Sequence, residues 1–240
     1  MKIKSFLFLI SLSFILTACE SAYLVTSKSI RHGGANKNIN LYAFVGKKIS
    51  VTEFDPNENQ EDFPTGEYEI DEETGDTLKV LKRSYVMDRA FKCKYKVVKK
   101  MFNYLETDTV EFVAYDHYGT PGFAERDTVI LYLSKSKDGG HYFHQKYQYD
   151  NVYKDKKGNY FSYPKFNGND DSQFGIQNIK GFNINFINER FDISHLSKDG
   201  VKIHYPSQFY KVENNFAIPI KGIYLYEQTN YRLKTTFKDL

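Results

Sequence analysis

Cysteine is scarce in this 240-residue chain, and tryptophan is absent. Cys19 and Cys93 are the two cysteines, so at most one disulfide can form within the chain. A small scaffold held together by several disulfides is therefore excluded. A chain of this length can instead bury enough apolar surface to be stabilised by its core.

Neither sign of charge dominates the chain. The 33 basic and 30 acidic residues leave a formal net charge of +3. A nucleic-acid-binding domain calls for a strongly basic face, so we expect no nucleic acid among the partners. Long apolar runs are also missing: the clearest, residues 5–16 (SFLFLISLSFIL), is shorter than the roughly 20 residues that a membrane-spanning helix needs.

That apolar run is typical of the centre of a secretory signal. Lys2 and Lys4 precede it, and Leu16-Thr17-Ala18-Cys19 follows it. The tetrapeptide LTAC resembles the lipobox of bacterial lipoproteins, which the lipoprotein signal peptidase cuts before the cysteine. The resemblance covers residues 1–19. It implies that Cys19 carries a thioether-linked diacylglycerol, with a further acyl chain on its amino group in many species, and that Cys93 has no disulfide partner.

The lipobox sets the predicted organisation of the chain. We expect a signal peptide over residues 1–18, a lipid-anchored polar tether over 19–40 and a β-rich globular domain over 41–240. Membrane lipid is then one partner, because two or more acyl chains hold a protein firmly on a bilayer. In enteric-type sorting, aspartate after the cysteine resembles an inner-membrane retention signal, and Glu20 departs from it. The predicted location is therefore the bacterial cell envelope, at the outer membrane.

The rest of the sequence predicts strands. Aromatic residues make up 17% of the chain, and tyrosine and phenylalanine favour pleated, half-buried surfaces. Between Phe91 and Val98, apolar residues alternate with lysines. This period of two predicts a strand with one solvated lysine face and with Cys93 buried on the other. Thr128–Leu133 is apolar on both faces, which predicts a central strand.

We predict a mainly β fold, built as a single antiparallel β-sandwich or barrel-like domain. Asp155–Gly158 indicates a hairpin turn. Leu225, Thr229, Leu233 and Phe237 are spaced by four, which allows a short C-terminal helix. The stretch Phe91–Tyr153 resembles the five-stranded OB-type barrels of netrin-like domains, without their paired cysteines. The other predicted strands are Leu41–Phe54 with a break near Gly46, Thr109–Tyr115, His141–Tyr153, Tyr160–Tyr163, Ile179–Ile187, Val201–Tyr205 and Phe216–Ile220.

Two blocks of opposite charge adjoin each other. Residues 55–76 hold ten acidic residues and no basic one, and residues 78–100 hold nine basic residues and one acidic residue. The acidic block starts like an EF-hand loop, but Gln60 stands where that loop needs glycine and Gly66 where it needs glutamate. We therefore predict a solvated acidic loop. The basic block either complements this loop or forms the outer face of the strand from Phe91, and partner binding there is a hypothesis.

Histidines offer two candidate sites. His141 and His144 suggest a metal pair, but residues three apart in a strand face opposite sides, which argues against joint ligation. We predict no metal and no cofactor. In the loop Asp116–Gly122, His117 is a candidate general base, with Asp116 as an orienting acid or Glu125 as a second carboxylate. A plain turn and a ligand contact remain open for the same loop.

Tyrosines offer a candidate ligand-binding surface. Tyr142, Tyr147 and Tyr149 concentrate with further tyrosines on one predicted hairpin. Exposed tyrosines make rigid amphipathic contacts with proteins or sugars. Core packing and cross-strand pairing explain these residues equally well.

Catalytic signatures are missing from the sequence, which contains no nucleophile elbow, Walker loop or dinucleotide fingerprint. We expect a membrane-anchored envelope lipoprotein with a non-enzymatic binding or interaction domain, whose partner is an envelope protein. The alternative is an envelope hydrolase with a site assembled near His117.

Overall fold

The computed structural model describes residues 34–58, 63–82, 85–166, 179–186 and 188–240. Cys19, the predicted signal peptide and the predicted tether up to residue 33 lie outside these ranges. The described part of the chain is mainly β, as predicted. Its helices are α1 (Lys198–His204) and α2 (Leu225–Lys234), and Gly122–Glu125 forms a 3₁₀ turn. Its strands are β1 (Tyr42–Phe54), β2 (Phe63–Ile70), β3 (Thr77–Lys82), β4 (Arg89–Phe102), β5 (Thr109–Asp116), β6 (Thr128–Lys135), β7 (Tyr142–Asn151), β8 (Tyr153–Lys154), β9 (Tyr160–Ser162), β10 (Phe182–Asn183), β11 (Phe191–Asp192), β12 (Tyr210–Glu213), β13 (Phe216–Pro219) and β14 (Lys221–Tyr224).

Five strands close into a barrel in the order β1, β4, β5, β7, β6, and β6 returns to β1. Neighbouring strands are antiparallel, except that β5 and β7 pair in parallel around Phe112 and Tyr142. This connectivity resembles the OB-type barrel. The stretch predicted for that barrel begins at Phe91 and is too short, because β1 supplies the first strand by pairing with both β4 and β6.

Strands β4 and β5, which the sequence predicted, bury their inward-facing side chains in the interior of the barrel. Tyr95 of β4 and Phe112 of β5 pack on each other and on Phe123 of the 3₁₀ turn, with ring centroids 5.7–6.0 Å apart. Strand β6 is buried on both faces, as predicted: Leu131 lies in the barrel core and Tyr132 packs in the cluster that holds α2. The closed part of the barrel has no free strand edge, because β1 pairs with both β4 and β6 over residues 43–47, whereas residues 50–54 of β1 pair with β4 alone.

Helix α2 confirms the predicted C-terminal helix. Leu225 and Phe237 are buried against the outer side of β1 and β6, and Thr229 is buried on the same side of the helix. At the start of the helix, the Glu227 carboxylate accepts the backbone N–H of Tyr224 at 2.9 Å. An acidic side chain in the first turn also complements the helix dipole.

A buried ion pair joins α2 to the barrel. The Arg232 guanidinium lies 2.8 Å from the Asp150 carboxylate of β7, and both side chains are almost fully buried. The Tyr132 hydroxyl and the Gln228 amide each donate to the same carboxylate at 2.8 Å. Charges removed from water need such additional hydrogen bonds. This network is therefore the polar part of the contact between helix and barrel.

Short strands form two further sheets, ordered β10–β14–β9–β8 and β11–β13–β12. The β8–β9 hairpin confirms the predicted turn: Gly158 has a left-handed φ of 86°, and its N–H donates to the Asp155 carbonyl at 3.0 Å. Burial alternates along residues 179–186, but only Phe182–Asn183 pairs as a strand there. Residue 187 of that predicted strand lies outside the described ranges.

The prediction of a strand over Val201–Tyr205 is wrong, because helix α1 occupies this stretch. Ser197 caps the helix by accepting the N–H of Gly200 at 3.1 Å. Asp199 lies in the first turn and Lys202 in the last, where their charges complement the helix dipole. These end signals outweigh the strand preference of the β-branched residues between them.

The prediction of one continuous acidic loop over residues 55–76 is also wrong, because β2 and β3 pair as a hairpin inserted between β1 and β4. The solvated character is confirmed for β2, since every one of its residues is exposed, and residues 59–62 of the block lie outside the described ranges. The Asn57 side chain closes the base of the hairpin. Its amide donates to the Val86 carbonyl at 3.0 Å, and its oxygen accepts the Val86 N–H at 2.9 Å.

The last residues of the predicted tether are bonded to the barrel. The Asn103 side-chain amide donates to the carbonyls of Asn36, Ile39 and Leu41 at 2.8–2.9 Å. The Asn40 amide donates to the Lys135 carbonyl of β6 at 2.7 Å. The chain is thus attached to the barrel from about Asn36 onward.

Candidate binding groove on the outer barrel face

An open groove of about 500 Å³ lies on the outer face of β1, β4 and β5, next to the start of β7. The strand register brings its walls together, because Ser50 is opposite Lys94 and Lys94 is opposite Glu111. Side chains alternate along a strand, so these residues share the outward face. The groove is lined by Ser50, Thr52, Lys92, Cys93, Lys94, Glu111, Phe112, Val113, His141 and Tyr142.

Lysines set the charge of this face. The Lys94 amine lies 2.8 Å from the Glu111 carboxylate on the neighbouring strand, and this hydrogen-bonded pair lowers the pKa of Glu111. The Lys92 amine lies 5.0 Å from the centroid of the Phe54 ring, and Lys96 continues the row along β4. Strand β4 contains no acidic residue. The predicted solvated lysine face is confirmed, and it is the outer face of the barrel.

Cys93 lies under the groove on the buried side of β4. Its side chain is 2% exposed, as the alternation predicts. Burial raises the pKa of the thiol to about 12. The thiolate is the reactive form of cysteine, so this residue contributes packing rather than nucleophilic chemistry to the site.

The loop around His117 lies apart from the groove. His117 Nδ1 is 3.0 Å from the Asp88 carboxylate, which precedes it by 29 residues. The neighbouring Asp116 carboxylate instead accepts the N–H of Tyr118 at 2.9 Å. Glu125 lies in the 3₁₀ turn. The structure brings His117 together with Asp88, and the His117 side chain is largely exposed, with the Tyr118 ring packed edge-on against it at a centroid distance of 5.5 Å.

The three candidate tyrosines occupy different surroundings. Tyr142 lines the groove and packs edge-on against Tyr42, with ring centroids 5.4 Å apart. Tyr147 is exposed and has a left-handed φ of 55°. Tyr149 packs against the barrel core, and the Lys165 amine lies 4.5 Å from the centroid of its ring. Of the three, Tyr142 is therefore the one placed at the groove.

His141 and His144 also face different surroundings. His141 lines the groove, whereas the ring of His144 packs against the ring of Phe123, with ring centroids 4.7 Å apart. His144 Nε2 lies 2.8 Å from the Gln148 carbonyl, and burial lowers the pKa of this histidine to about 4. In the part of the chain that the structure describes, no group of three or more His, Cys, Asp or Glu side chains is placed to hold a metal ion.

Sequence reasoning missed Ser50, Thr52 and Glu111 as members of the groove. Strand alternation places each of them on an outward face, but their meeting depends on the barrel register. It also missed the partnership of His117 with Asp88, because these residues lie on separate segments. The spacing of residues along the chain predicts neither the groove nor the contact between His117 and Asp88.

No protein-family model, curated protein or solved structure matches the chain. Within the described ranges, the helices are too short or too polar to cross a membrane. The groove and the lipobox are therefore the features of this chain that bear on its function.

Proposed function

We propose that this chain is a lipoprotein of the bacterial cell envelope, anchored at the outer membrane by lipid on Cys19, whose domain binds an acidic protein segment and catalyses no reaction. The observation that carries the proposal is the open groove on the lysine face. Small-molecule and catalytic sites are concave and largely enclosed, with converging polar groups. An open groove suits an extended segment of a partner.

The charges on this face favour an acidic partner. Glu111 already neutralises Lys94. Lys92 and Lys96 form no ion pair within the described ranges, so their charges are available to a ligand. Complementary charges steer encounter and set specificity. Val113 and Tyr142 add apolar surface between the charged groups.

A charge-reversal experiment tests the binding face. We expect Lys92→Glu/Lys96→Glu to reduce recovery of a crosslinked partner from membranes by at least about tenfold, which corresponds to roughly 1.4 kcal/mol of binding. Lys156→Glu/Lys157→Glu, in the exposed β8–β9 turn, is the matched control and should recover the partner like the wild type. Equal recovery with both variants would rule out the lysine face as the binding surface.

The anchor has a separate test. Cys19→Ser should abolish incorporation of radiolabelled fatty acid and release the protein from membranes, because the thioether can form only on that thiol. Persistent lipid labelling of the Cys19→Ser chain contradicts the anchor. Mass spectrometry of the wild-type N-terminus should find an acylated residue 19.

One observation favours the alternative, a hydrolase near His117. A carboxylate at 3.0 Å from Nδ1, as Asp88 provides, is how a general-base histidine is oriented. We expect the wild type and His117→Ala to be equally inactive on panels of ester, peptide and glycoside substrates. Turnover that depends on His117 but not on exposed His195 would favour the hydrolase over the binding protein.

A further inference from the structure

The β2–β3 hairpin exposes apolar side chains on both of its faces. Cross-strand partners share a face, and the register pairs Tyr68 with Lys79, Ile70 with Thr77 and Pro64 with Leu81. Tyr68, Ile70 and Leu81 therefore lie on one face, and Phe63 and Leu78 lie on the other. These five side chains are 62%, 71%, 55%, 64% and 50% exposed, respectively.

An isolated two-stranded hairpin is marginally stable in water at best. Clamping by Asn57 at the base holds the two ends together but covers neither face. Contiguous exposed apolar surface marks an interaction site. The side chains of a strand project from its faces and not from its edges, so a partner covers these apolar groups by lying on a face of the hairpin.

The charge of the hairpin identifies what covers it. Residues 63–82 hold six acidic residues and two lysines, and four of the acidic residues lie in the turn from Asp71 to Asp76. Strand β4 holds six basic residues and no acidic one. The outer barrel face also exposes the apolar side chains of Ile49, Val98 and Tyr115. The hairpin and the barrel face thus carry apolar groups with charges of opposite sign.

We propose that the hairpin of one copy docks on the outer barrel face of a second copy. This inference rests on the proposed function, because it names an occupant for the same lysine face. Pairing between two hairpins is disfavoured, since it would bring two acidic turns together. Two copies tethered to one membrane would also meet at a raised effective concentration.

Zero-length carbodiimide crosslinking of the full lipidated chain tests the docking. The reagent condenses a carboxylate with an amine in ion-pair contact, with loss of water. Unlabelled and isotope-labelled copies are mixed in the same membranes. We expect mixed-isotope crosslinked peptides that join residues 67–76 of one copy to Lys92 or Lys96 of the other.

Charge exchange provides the controls. Glu69→Lys/Glu72→Lys/Glu73→Lys should abolish these crosslinks, and so should Lys92→Glu/Lys96→Glu. Mixing the two variants should restore heterotypic crosslinks in two ways, because the unchanged hairpin of one variant meets the unchanged lysine face of the other, and the reversed hairpin meets the reversed face. The matched control Asp199→Lys/Glu213→Lys/Asp239→Lys changes exposed acidic residues outside the hairpin and should crosslink like the wild type.

Three results overturn self-docking. Crosslinks found only within single copies would mean that the hairpin folds onto its own barrel. Crosslinks from the hairpin or the lysine face only to a different protein would mean that the partner is foreign. The second result leaves the proposed binding function standing. A lysine face that crosslinks to nothing, and captures no partner, removes both proposals.

Discussion

At the scale of single residues, Gly46 shows how closely the barrel is packed. A Cβ at this position would lie 2.9 Å from Cε2 of Phe44, 3.1 Å from Cδ1 of Tyr95 and 3.2 Å from Cδ1 of Leu131. We predict that Gly46→Ala lowers the free energy of unfolding by about 1–3 kcal/mol, because overpacking forces these side chains out of their rotamers. Urea unfolding measures the change. Gly34→Ala, which meets nothing within 4 Å, is the control, and an equal effect there would contradict the packing argument.

His144 links one residue to the pH dependence of stability. Its folded-state pKa of about 4 lies below the ordinary value because the ring is buried. The unfolded chain therefore takes up the proton first as the pH falls. The stabilisation by neutral His144 is complete above about pH 6.5 and is lost toward about pH 4, with a limit of about 3 kcal/mol.

Denaturation curves between about pH 7 and about pH 4 test this linkage. We expect His144→Gln to lose less stability over this interval than the wild type, since glutamine does not titrate. His195→Gln, at an exposed position, is the control and should follow the wild-type curve. Parallel curves for the wild type and His144→Gln would show that His144 is not the titrating group.

At the scale of elements, the Asp150–Arg232 pair fastens α2 to β7. We predict that Arg232→Met lowers the free energy of unfolding by about 3–5 kcal/mol, because it leaves a buried carboxylate without its countercharge. The double variant Asp150→Asn/Arg232→Met should be less destabilised than Arg232→Met. Chemical denaturation measures both variants.

Arg89 supplies the comparison for this prediction. Its guanidinium donates to the Glu53 carboxylate at 2.7 Å, and both side chains are about half exposed. Arg89→Met should lower the free energy of unfolding far less than Arg232→Met, since exposed ion pairs contribute little. Equal losses for Arg89→Met and Arg232→Met would mean that burial of the pair does not matter.

At the scale of the whole molecule, Cys93 reports on global unfolding. Its thiol is buried, and its raised pKa keeps it protonated near neutral pH. We predict that a thiol reagent labels Cys93 only as fast as the barrel opens, and that urea accelerates labelling in step with unfolding. Tyr118→Cys places a control thiol at an exposed position and should react at once. Rapid labelling of Cys93 under native conditions would contradict the closed barrel.

The elements that sequence predicted well are those whose pattern is local. The alternation from Phe91 predicted a lysine face and a buried cysteine, and the spacing from Leu225 predicted α2. The prediction of a strand at Val201 was wrong because it gave weight to the β-branched residues and none to the helix cap at Ser197. The prediction of a loop over the acidic block was wrong because a high density of charge is typical of loops, although β2 and β3 pair there.

The sequence by itself therefore determined the mainly β class, the outward direction of the β4 lysines and the burial of Cys93, and it predicts the lipid anchor through its lipobox. Each follows from residues near one another in the chain. Only the tertiary structure decided that Ser50 lies opposite Lys94, that His117 meets Asp88 and that Arg232 meets Asp150 across 82 residues. The physical reason is barrel closure: strand register and the docking of α2 are set by contacts between distant segments, which local periodicity does not encode.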